Sequence, residues 1–282
     1  MPAFATVPDP VHGPGSTGRI RYDLRQPAPA TGRPPLVLVG GMTQTLASWG
    51  GQLRPLSATR PVLAYECRGQ GATELDLREA DLPRHVEDLV ALLEALGLPT
   101  PVDLCGFSFG GRVCLAVAAT QPALARRLVL SGVSTGRGVV GQLIVEGWLA
   151  ALRTGDLEAL ARISLPDIVG PAYLEAHAHL VEPMVRAVVE RNSFAGIDAL
   201  FHQTLRAPSD PAWTNEAMAA RVQCPTLVLG GELDRLAPPA EVRDLAERMG
   251  ARALTIPGAG HTIPIEAAER WREAVLEHLD AP

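Results

Sequence analysis

Short apolar segments of β-strand composition alternate with segments of helical periodicity along most of the chain, and this alternation limits the possible folds more than any other feature. Strands that are apolar on both faces are typical of parallel sheets covered by helices. The chain is therefore predicted to belong to the α/β class, with a mostly parallel sheet flanked by helices. Seven strands are predicted, at Ile20–Leu24, Leu36–Val39, Val62–Tyr65, Val102–Cys105, Leu128–Leu130, Thr226–Leu229 and Ala253–Ile256.

Two segments depart from this alternation. The stretch 136–219 carries only helical signals, and it is predicted to be a helical cap inserted into the sheet domain. Residues 1–18 hold four prolines and three glycines, and they are predicted to form a flexible N-terminal arm. With 282 residues, of which 47% are hydrophobic, the whole chain, residues 1–282, is predicted to be a single domain with a sizeable core.

The charge pattern and the cysteines exclude several classes of function. The formal net charge is −6 and no basic run is present, so neither nucleic acid nor a membrane surface is an expected partner. All 25 cationic side chains are arginine, which excludes chemistry that needs a lysine amine. The four cysteines lack C-x-x-C spacing and are predicted to be reduced, as in a cytoplasmic protein. No cofactor and no metal site are predicted.

The strongest catalytic signal is a Gly-x-Ser-x-Gly pentapeptide centred on Ser108. It follows the predicted strand Val102–Cys105 and leads into a helical stretch, Gly111–Thr120. In such a strand-to-helix turn the serine side chain projects above the sheet edge, where it can act as a nucleophile. A second copy is centred on Ser134, but it leads into a flexible Arg-Gly sequence, so Ser108 is the predicted nucleophile.

The serine needs a general base, and the base needs an acid. His261 is the best-placed histidine, because it follows the last predicted strand in a loop of proline and glycine. Asp234 and Glu232 both lie just past the strand Thr226–Leu229, and position favours Asp234 as the acid that orients His261. The resulting chain order, serine then aspartate then histidine, differs from the orders of the chymotrypsin and subtilisin types.

These motifs and their order resemble the α/β-hydrolase superfamily from about residue 19 to residue 279. The resemblance implies the α/β-hydrolase fold, with a mostly parallel sheet of the eight-stranded type. It also implies an oxyanion hole formed by the backbone amides of Met42 and Phe109. The loop that would supply the first amide has Gly40 where the family usually has histidine, so other contacts must hold it.

The resemblance further implies hydrolysis of an ester, thioester or lactone bond in a small, mainly apolar acyl substrate. A dehalogenase would need aspartate at position 108. Four residues of the cap are candidates to line an acyl pocket, although residues at helical spacing also pack a cap onto its sheet: Trp148, Tyr173, Met184 and Phe201. Two alternatives stay open, a lyase or cyclase on the same scaffold and a ligand-binding protein that has lost turnover.

Overall fold

The computed structural model describes residues 1–205 and 210–282, and the side chains of residue 12 and residues 203–205 are outside the description. An eight-stranded sheet forms its centre. The strands are β1 (Ala3–Pro8), β2 (Thr17–Arg25), β3 (Leu36–Val39), β4 (Val62–Tyr65), β5 (Val102–Phe107), β6 (Ala125–Ser131), β7 (Thr226–Gly231) and β8 (Arg252–Ile256). The predicted α/β class and mostly parallel sheet are confirmed.

The strands lie in the order β1-β2-β4-β3-β5-β6-β7-β8. The pairs β1–β2 and β2–β4 are antiparallel, and every pair from β4–β3 to β7–β8 is parallel. The carboxyl ends of the six parallel strands therefore meet at one edge of the sheet. This is the edge at which open α/β sheets bind their ligands.

The prediction of a flexible arm over residues 1–18 is wrong for its greater part. Residues 3–8 form β1, which pairs with β2 from Ala3 opposite Tyr22 to Pro8 opposite Thr17. Alternate side chains of β1, Ala5 and Val7, are buried in the core. Two paired strands with one buried face are held in place, whatever their content of proline.

Twelve α-helices lie within the described residues: α1 (Gly50–Ser57), α2 (Leu82–Ala95), α3 (Phe109–Thr120), α4 (Gly138–Leu152), α5 (Leu157–Ile168), α6 (Pro171–Ala176), α7 (Val181–Arg191), α8 (Phe194–Leu205), α9 (Asn215–Ala219), α10 (Pro239–Arg248), α11 (Ile263–Glu266) and α12 (Ala268–Asp280). None of these helices combines the length and the apolar character that crossing a bilayer requires.

The sheet separates two apolar clusters because successive side chains of a strand point to opposite faces. On one face, Val37 and Val39 of β3 belong to the cluster that includes the buried sides of α2 and α3. On the other face, Leu36 and Leu38 belong to the cluster that includes α1 and α12. Both faces of the sheet are covered, which is why every residue of β3 and β4 is buried and apolar apart from the hydroxyl of Tyr65.

Between β6 and β7 the described residues form only helices, from α4 to α9, and this is the segment that we interpret as the inserted cap. It contains a third apolar cluster, in which Trp148 of α4 and Phe201 of α8 have ring centroids 6.2 Å apart. Leu236, from the loop after β7, belongs to the same cluster. The cluster thus joins these helices to the edge of the sheet where the strands end.

Candidate active site

Ser108 stands in the turn between β5 and α3, in a backbone conformation that is rare for a residue with a side chain. Its φ of 52° and ψ of −118° make it the single non-glycine residue with positive φ in the described ranges. Its own amide donates to the carbonyl of Ser131 at 2.8 Å. Strained backbone of this kind is retained where function needs it, and here the hydroxyl lies within hydrogen-bond distance of His261.

Gly110 allows this turn to lie close to the neighbouring strand end. A Cβ at this position would lie 2.3 Å from the carbonyl oxygen of Val39 and 2.5 Å from that of Gly40. Any side chain would therefore push α3 away from the loop after β3. The second glycine of the pentapeptide is needed to bring these two segments together.

His261 lies in the loop after β8, with its Nε2 atom 2.9 Å from Oγ of Ser108. The side chain is only 6% exposed, and its backbone amide donates to the carbonyl of Ile168 at the end of α5. The imidazole packs over Gly132, where a Cβ would lie 2.9 Å from the ring. The glycine at the end of β6 thus leaves the space that the imidazole occupies.

Asp234 holds the other side of the imidazole. Its Oδ2 atom lies 2.7 Å from Nδ1 of His261, and its Oδ1 atom accepts from the amides of Leu236 and Ala237 at 2.8 and 2.9 Å. A carboxylate only accepts hydrogen bonds, so the ring proton is on Nδ1 and Nε2 is free to accept from the Ser108 hydroxyl. Glu232 is exposed, and its side chain accepts from the Gly258 amide instead.

The backbone amides of Met42 and Phe109 have no acceptor among the residues that the structure describes. Phe109 begins α3, where the first amides of a helix are unsatisfied by the helix itself. Met42 lies in the loop after β3 and contributes to the same cavities as Ser108. Two free amides close to the serine are what an oxyanion hole requires.

Two glutamines hold the loop that carries Met42. Oε1 of Gln44 accepts from the Gly41 amide at 2.9 Å. Nε2 of Gln70 donates to the carbonyls of Gly41 at 2.6 Å and Met42 at 3.3 Å. The two glutamines are therefore the contacts that fix this loop, which has Gly40 in place of the histidine that is usual in the family.

Two cavities meet at Ser108. The larger, of about 450 Å³, is lined by residues of α3, α4, α9 and the loop after β6 as well as by His261. The smaller, of about 80 Å³, is lined mainly by apolar surface, to which Leu160, Ile168 and Phe201 of the interpreted cap contribute. Trp148 and Met42 line both cavities, so they stand at the junction.

The larger cavity contains charged side chains. Arg112, Arg137 and Glu216 all line it, and Nε of Arg112 donates to Oδ1 of Asn215 at 3.1 Å. Burial, and to a smaller extent the nearby charge of Arg137, lower the pKa of the Arg112 guanidinium to about 10. Burial also lowers the pKa of Arg137.

Of the four cap residues predicted to touch substrate, two line these cavities and two do not. Trp148 lines both cavities and Phe201 lines the smaller one. Tyr173 stacks on His177 with ring centroids 4.1 Å apart, and Met184 lines neither cavity. Ser134 lines the larger cavity, but its hydroxyl donates to the carbonyl of Gly136, two residues along the loop.

A model of the alpha/beta hydrolase family matches residues 36–276. The chain belongs to the α/β hydrolase family. The predicted resemblance is confirmed, and the chain is an enzyme of this hydrolase family.

Individual relatives of this α/β hydrolase are moderately similar. It is 30% identical over 251 residues to the dihydrolipoyllysine-residue acetyltransferase component of the acetoin cleaving system of Pseudomonas putida, a match that covers 88% of this chain and 64% of that protein. It is 28% identical to pyrrolizixenacetamide deacetylase of Xenorhabdus hominickii, over 84% of this chain and 88% of that protein. A crystal structure of a hydrolase from Pseudomonas aeruginosa PA01 is 28% identical, covers 99% of this chain and 98% of its own, and superposes with a TM-score of 0.83.

Reasoning from the sequence missed the polar side of the larger cavity in this α/β hydrolase. Arg137 and Asn215 belong to segments far from Ser108 in the chain, and no local pattern indicates them. Arg112 could have been found, because a residue four places after the nucleophile lies one helical turn above it on α3.

Proposed function

We propose that this enzyme is a serine hydrolase that cleaves an ester, thioester or lactone bond of a small molecule through a covalent acyl intermediate. One observation carries the proposal: the hydrogen-bonded series from Ser108 through His261 to Asp234, which opens into a cavity of about 450 Å³. A cavity of this volume is within the range of small-molecule sites.

In the first step, Oγ of Ser108 attacks the substrate carbonyl carbon and its proton passes to Nε2 of His261. The carbonyl π electrons move to oxygen, and the negative charge is stabilised by the amides of Met42 and Phe109. Asp234 stabilises the imidazolium that forms, because its Oδ2 accepts from Nδ1.

In the second step, the carbonyl re-forms and the bond to the leaving alcohol or thiol breaks, with His261 returning its proton to the leaving group. Water then attacks the acyl group on Ser108 and gives one proton to His261. Collapse of this second tetrahedral intermediate releases the carboxylic acid and restores the Ser108 hydroxyl. Each round consumes one water and needs no other reactant.

The relatives support acyl chemistry of this kind. One is named as a deacetylase, whose reaction removes an acetyl group. Another is named as an acetyltransferase component, although the matched region is 64% of that protein. The two cavities limit substrate size, and the apolar lining of the smaller one suits only a short apolar group. The mainly apolar substrate expected from the sequence therefore fits only one side of the site.

Trapping of the acyl intermediate tests the proposal directly. The enzyme is mixed with a short p-nitrophenyl ester, quenched in acid within milliseconds and digested with trypsin. Because every cationic residue is arginine, Ser108 falls in the peptide 85–112, where it is the one serine, and Ser134 falls in the separate peptide 128–137. We expect an acyl mass on 85–112 and none on 128–137.

The same experiment is then made with substrates that the enzyme turns over fastest in a panel of esters, thioesters and lactones. Ser108→Ala is the control, and its peptide 85–112 should stay unmodified. A lyase or cyclase would convert its own substrate in a manner that needs His261 and leave this peptide unmodified at every quench time. That outcome, or no turnover of any acyl substrate, would contradict hydrolysis.

A further inference from the structure

We propose that Arg112 and Arg137 form a recognition site for a carboxylate group of the substrate, so that the enzyme acts on acidic acyl compounds. The inference deepens the proposed function and rests on it for the reaction, while the binding site itself can be tested without turnover.

Both arginines lie in the cavity where the chemistry would take place. Arg112 is four residues after Ser108 on α3, which places it about 6 Å further along the helix axis. Arg137 immediately precedes α4 and lines the same cavity. A ligand that extends from Ser108 into the larger cavity therefore has both cations in its wall.

Neither cation has an acidic partner within 4 Å among the residues that the structure describes. This separates them from the fully buried arginines of the same protein: Arg60 is paired with Asp103, and Arg68 is paired with Asp9 and Asp88. A sheltered cation without a counter-charge is costly unless something else supplies the charge. The lowered pKa values of Arg112 and Arg137 express this cost.

Asn215 holds the Arg112 side chain in one orientation. Its Nδ2 atom donates to the carbonyl of Ser134 at 2.8 Å, and its Oδ1 atom accepts from Nε of Arg112. The Asn215 side chain therefore fixes the orientation of the Arg112 guanidinium through Nε. The N–H groups of the two terminal nitrogens stay available to a ligand, since no described residue accepts from them. Two parallel N–H donors match the two oxygens of a carboxylate.

The charges around the cavity favour a carboxylate over a phosphate. Two cations and the one carboxylate of Glu216 line it, which leaves one net positive charge. A single negative charge on the substrate would balance this lining, whereas a phosphate dianion would leave an excess.

Each of the two cavities would then hold one part of the substrate. The smaller one takes a short apolar group, and the larger one takes the part that carries the carboxylate, with the reacting carbonyl at their junction on Ser108. Which of these parts is the acyl group and which is the leaving group is decided by the two ester pairs in the experiment below.

Selectivity between matched esters is the first test. The acyl-side pair is mono-p-nitrophenyl glutarate and its neutral amide, p-nitrophenyl glutaramate. The alcohol-side pair is 4-acetoxybenzoate and 4-acetoxybenzamide.

We expect the charged member of one pair to have the higher kcat/KM. Arg112→Gln or Arg137→Gln should then lower the ratio of kcat/KM for the charged ester to kcat/KM for the neutral ester about 10-fold to 100-fold. Arg153→Gln, which removes an exposed cation from α4's C-terminal end, is the matched control and should leave the ratio unchanged.

Direct binding is the second test, and it needs no catalysis. Calorimetry with Ser108→Ala measures the affinity of glutaramate, which carries one carboxylate, of neutral glutaramide and of 4-phosphonobutyramide, in which a phosphonate replaces the carboxylate. We expect glutaramate to bind most tightly, and the Arg112→Gln change in this background to weaken its binding about 10-fold or more. A further measurement needs no arginine variant, because glutaramate should inhibit ester hydrolysis by the wild-type enzyme competitively and glutaramide should not.

The outcomes separate the two proposals. Equal kcat/KM values within both pairs, with no glutaramate binding, would overturn the carboxylate site and leave the hydrolase standing. Glutaramate binding to Ser108→Ala without turnover or acylation of any ester by the wild-type enzyme would support the carboxylate site and overturn the hydrolase. Tighter binding of 4-phosphonobutyramide than of glutaramate would overturn the choice of a carboxylate.

Discussion

Asp234 contacts His261 through one oxygen and the protein backbone through the other. Oδ2 lies 2.7 Å from Nδ1 of the imidazole, while Oδ1 accepts from the amides of Leu236 and Ala237. The carboxylate side chain is fully buried. Because both oxygens are engaged, the carboxylate has a single orientation, and this orientation determines which ring nitrogen of His261 carries the proton.

Replacement of Asp234 by asparagine should lower kcat about 10⁴-fold, because an amide can donate to Nδ1 and so hold His261 in the wrong tautomer. Glu232→Gln is the matched control two residues away. Its side chain is exposed and bonded to the Gly258 amide, so kcat should change by less than about 3-fold. Steady-state kinetics on one ester decide the matter, and equal losses in the two variants would remove Asp234 from the proposed role.

Ser108→Ala should lower kcat by about four to six orders of magnitude and leave the unfolding temperature nearly unchanged, because the triad acts as a unit. Ser134→Ala provides the comparison within the second pentapeptide. Its hydroxyl bonds within its own loop, so we expect a change in kcat of less than about 3-fold. A larger loss at Ser134 than at Ser108 would show that the wrong pentapeptide was chosen.

The strands could be predicted because burial on both faces leaves an unbroken apolar signal. β3 and β4 are found with the predicted bounds, Leu36–Val39 and Val62–Tyr65. β1 was missed because only alternate residues of Ala3–Pro8 are buried, and the prolines nearby suggested a loop. Its pairing with β2, from Pro8 opposite Thr17 to Ala3 opposite Tyr22, is not reported by the composition of either segment alone.

The site could be predicted only where a motif is tied to a strand end. Ser108, Asp234 and His261 each follow a parallel strand, so the topology alone brings them to one edge of the sheet. The residues that line the cavities could not be predicted in this way, because their positions depend on how the helices between β6 and β7 pack. Tyr173 has the large aromatic side chain that is typical of pocket residues, yet it stacks on His177.

The glutamines that hold the Met42 loop should matter for catalysis more than for binding. Gln44→Met and Gln70→Met keep the side-chain length but remove the bonds to Gly41 and Met42. A loosened oxyanion donor stabilises the transition state less, so kcat should fall about 10-fold to 100-fold with little change in KM.

A buried glutamine that contacts neither the Met42 loop nor a triad residue provides the control for these two variants. Gln52 donates to the carbonyls of Pro264 and Ala268, so Gln52→Met also breaks two bonds to the backbone. It should lower stability while kcat is retained. If Gln44→Met and Gln70→Met changed only the unfolding temperature, in the manner of Gln52→Met, the two glutamines would have no part in positioning the oxyanion hole.

Arg112 should cost the protein stability in the absence of a ligand, so Arg112→Met should stabilise it by about 1 kcal/mol at pH 7, or about 2–4 °C in Tm. Its pKa in the folded protein, about 10, is below its ordinary value, so below pH 10 the guanidinium is charged in both states and the full cost is present. Above pH 10 the folded state loses the proton first, the wild type becomes relatively more stable, and the difference in unfolding free energy between the two proteins should narrow.

Urea unfolding of the wild type and of Arg112→Met from pH 7 to 11 measures this difference. Arg68→Met is a control of opposite sign, because Arg68 is paired with Asp9 and Asp88. A lower stability of Arg112→Met at pH 7, by an amount independent of pH, would show that Arg112 is a structural residue rather than an unpaired charge kept for a ligand.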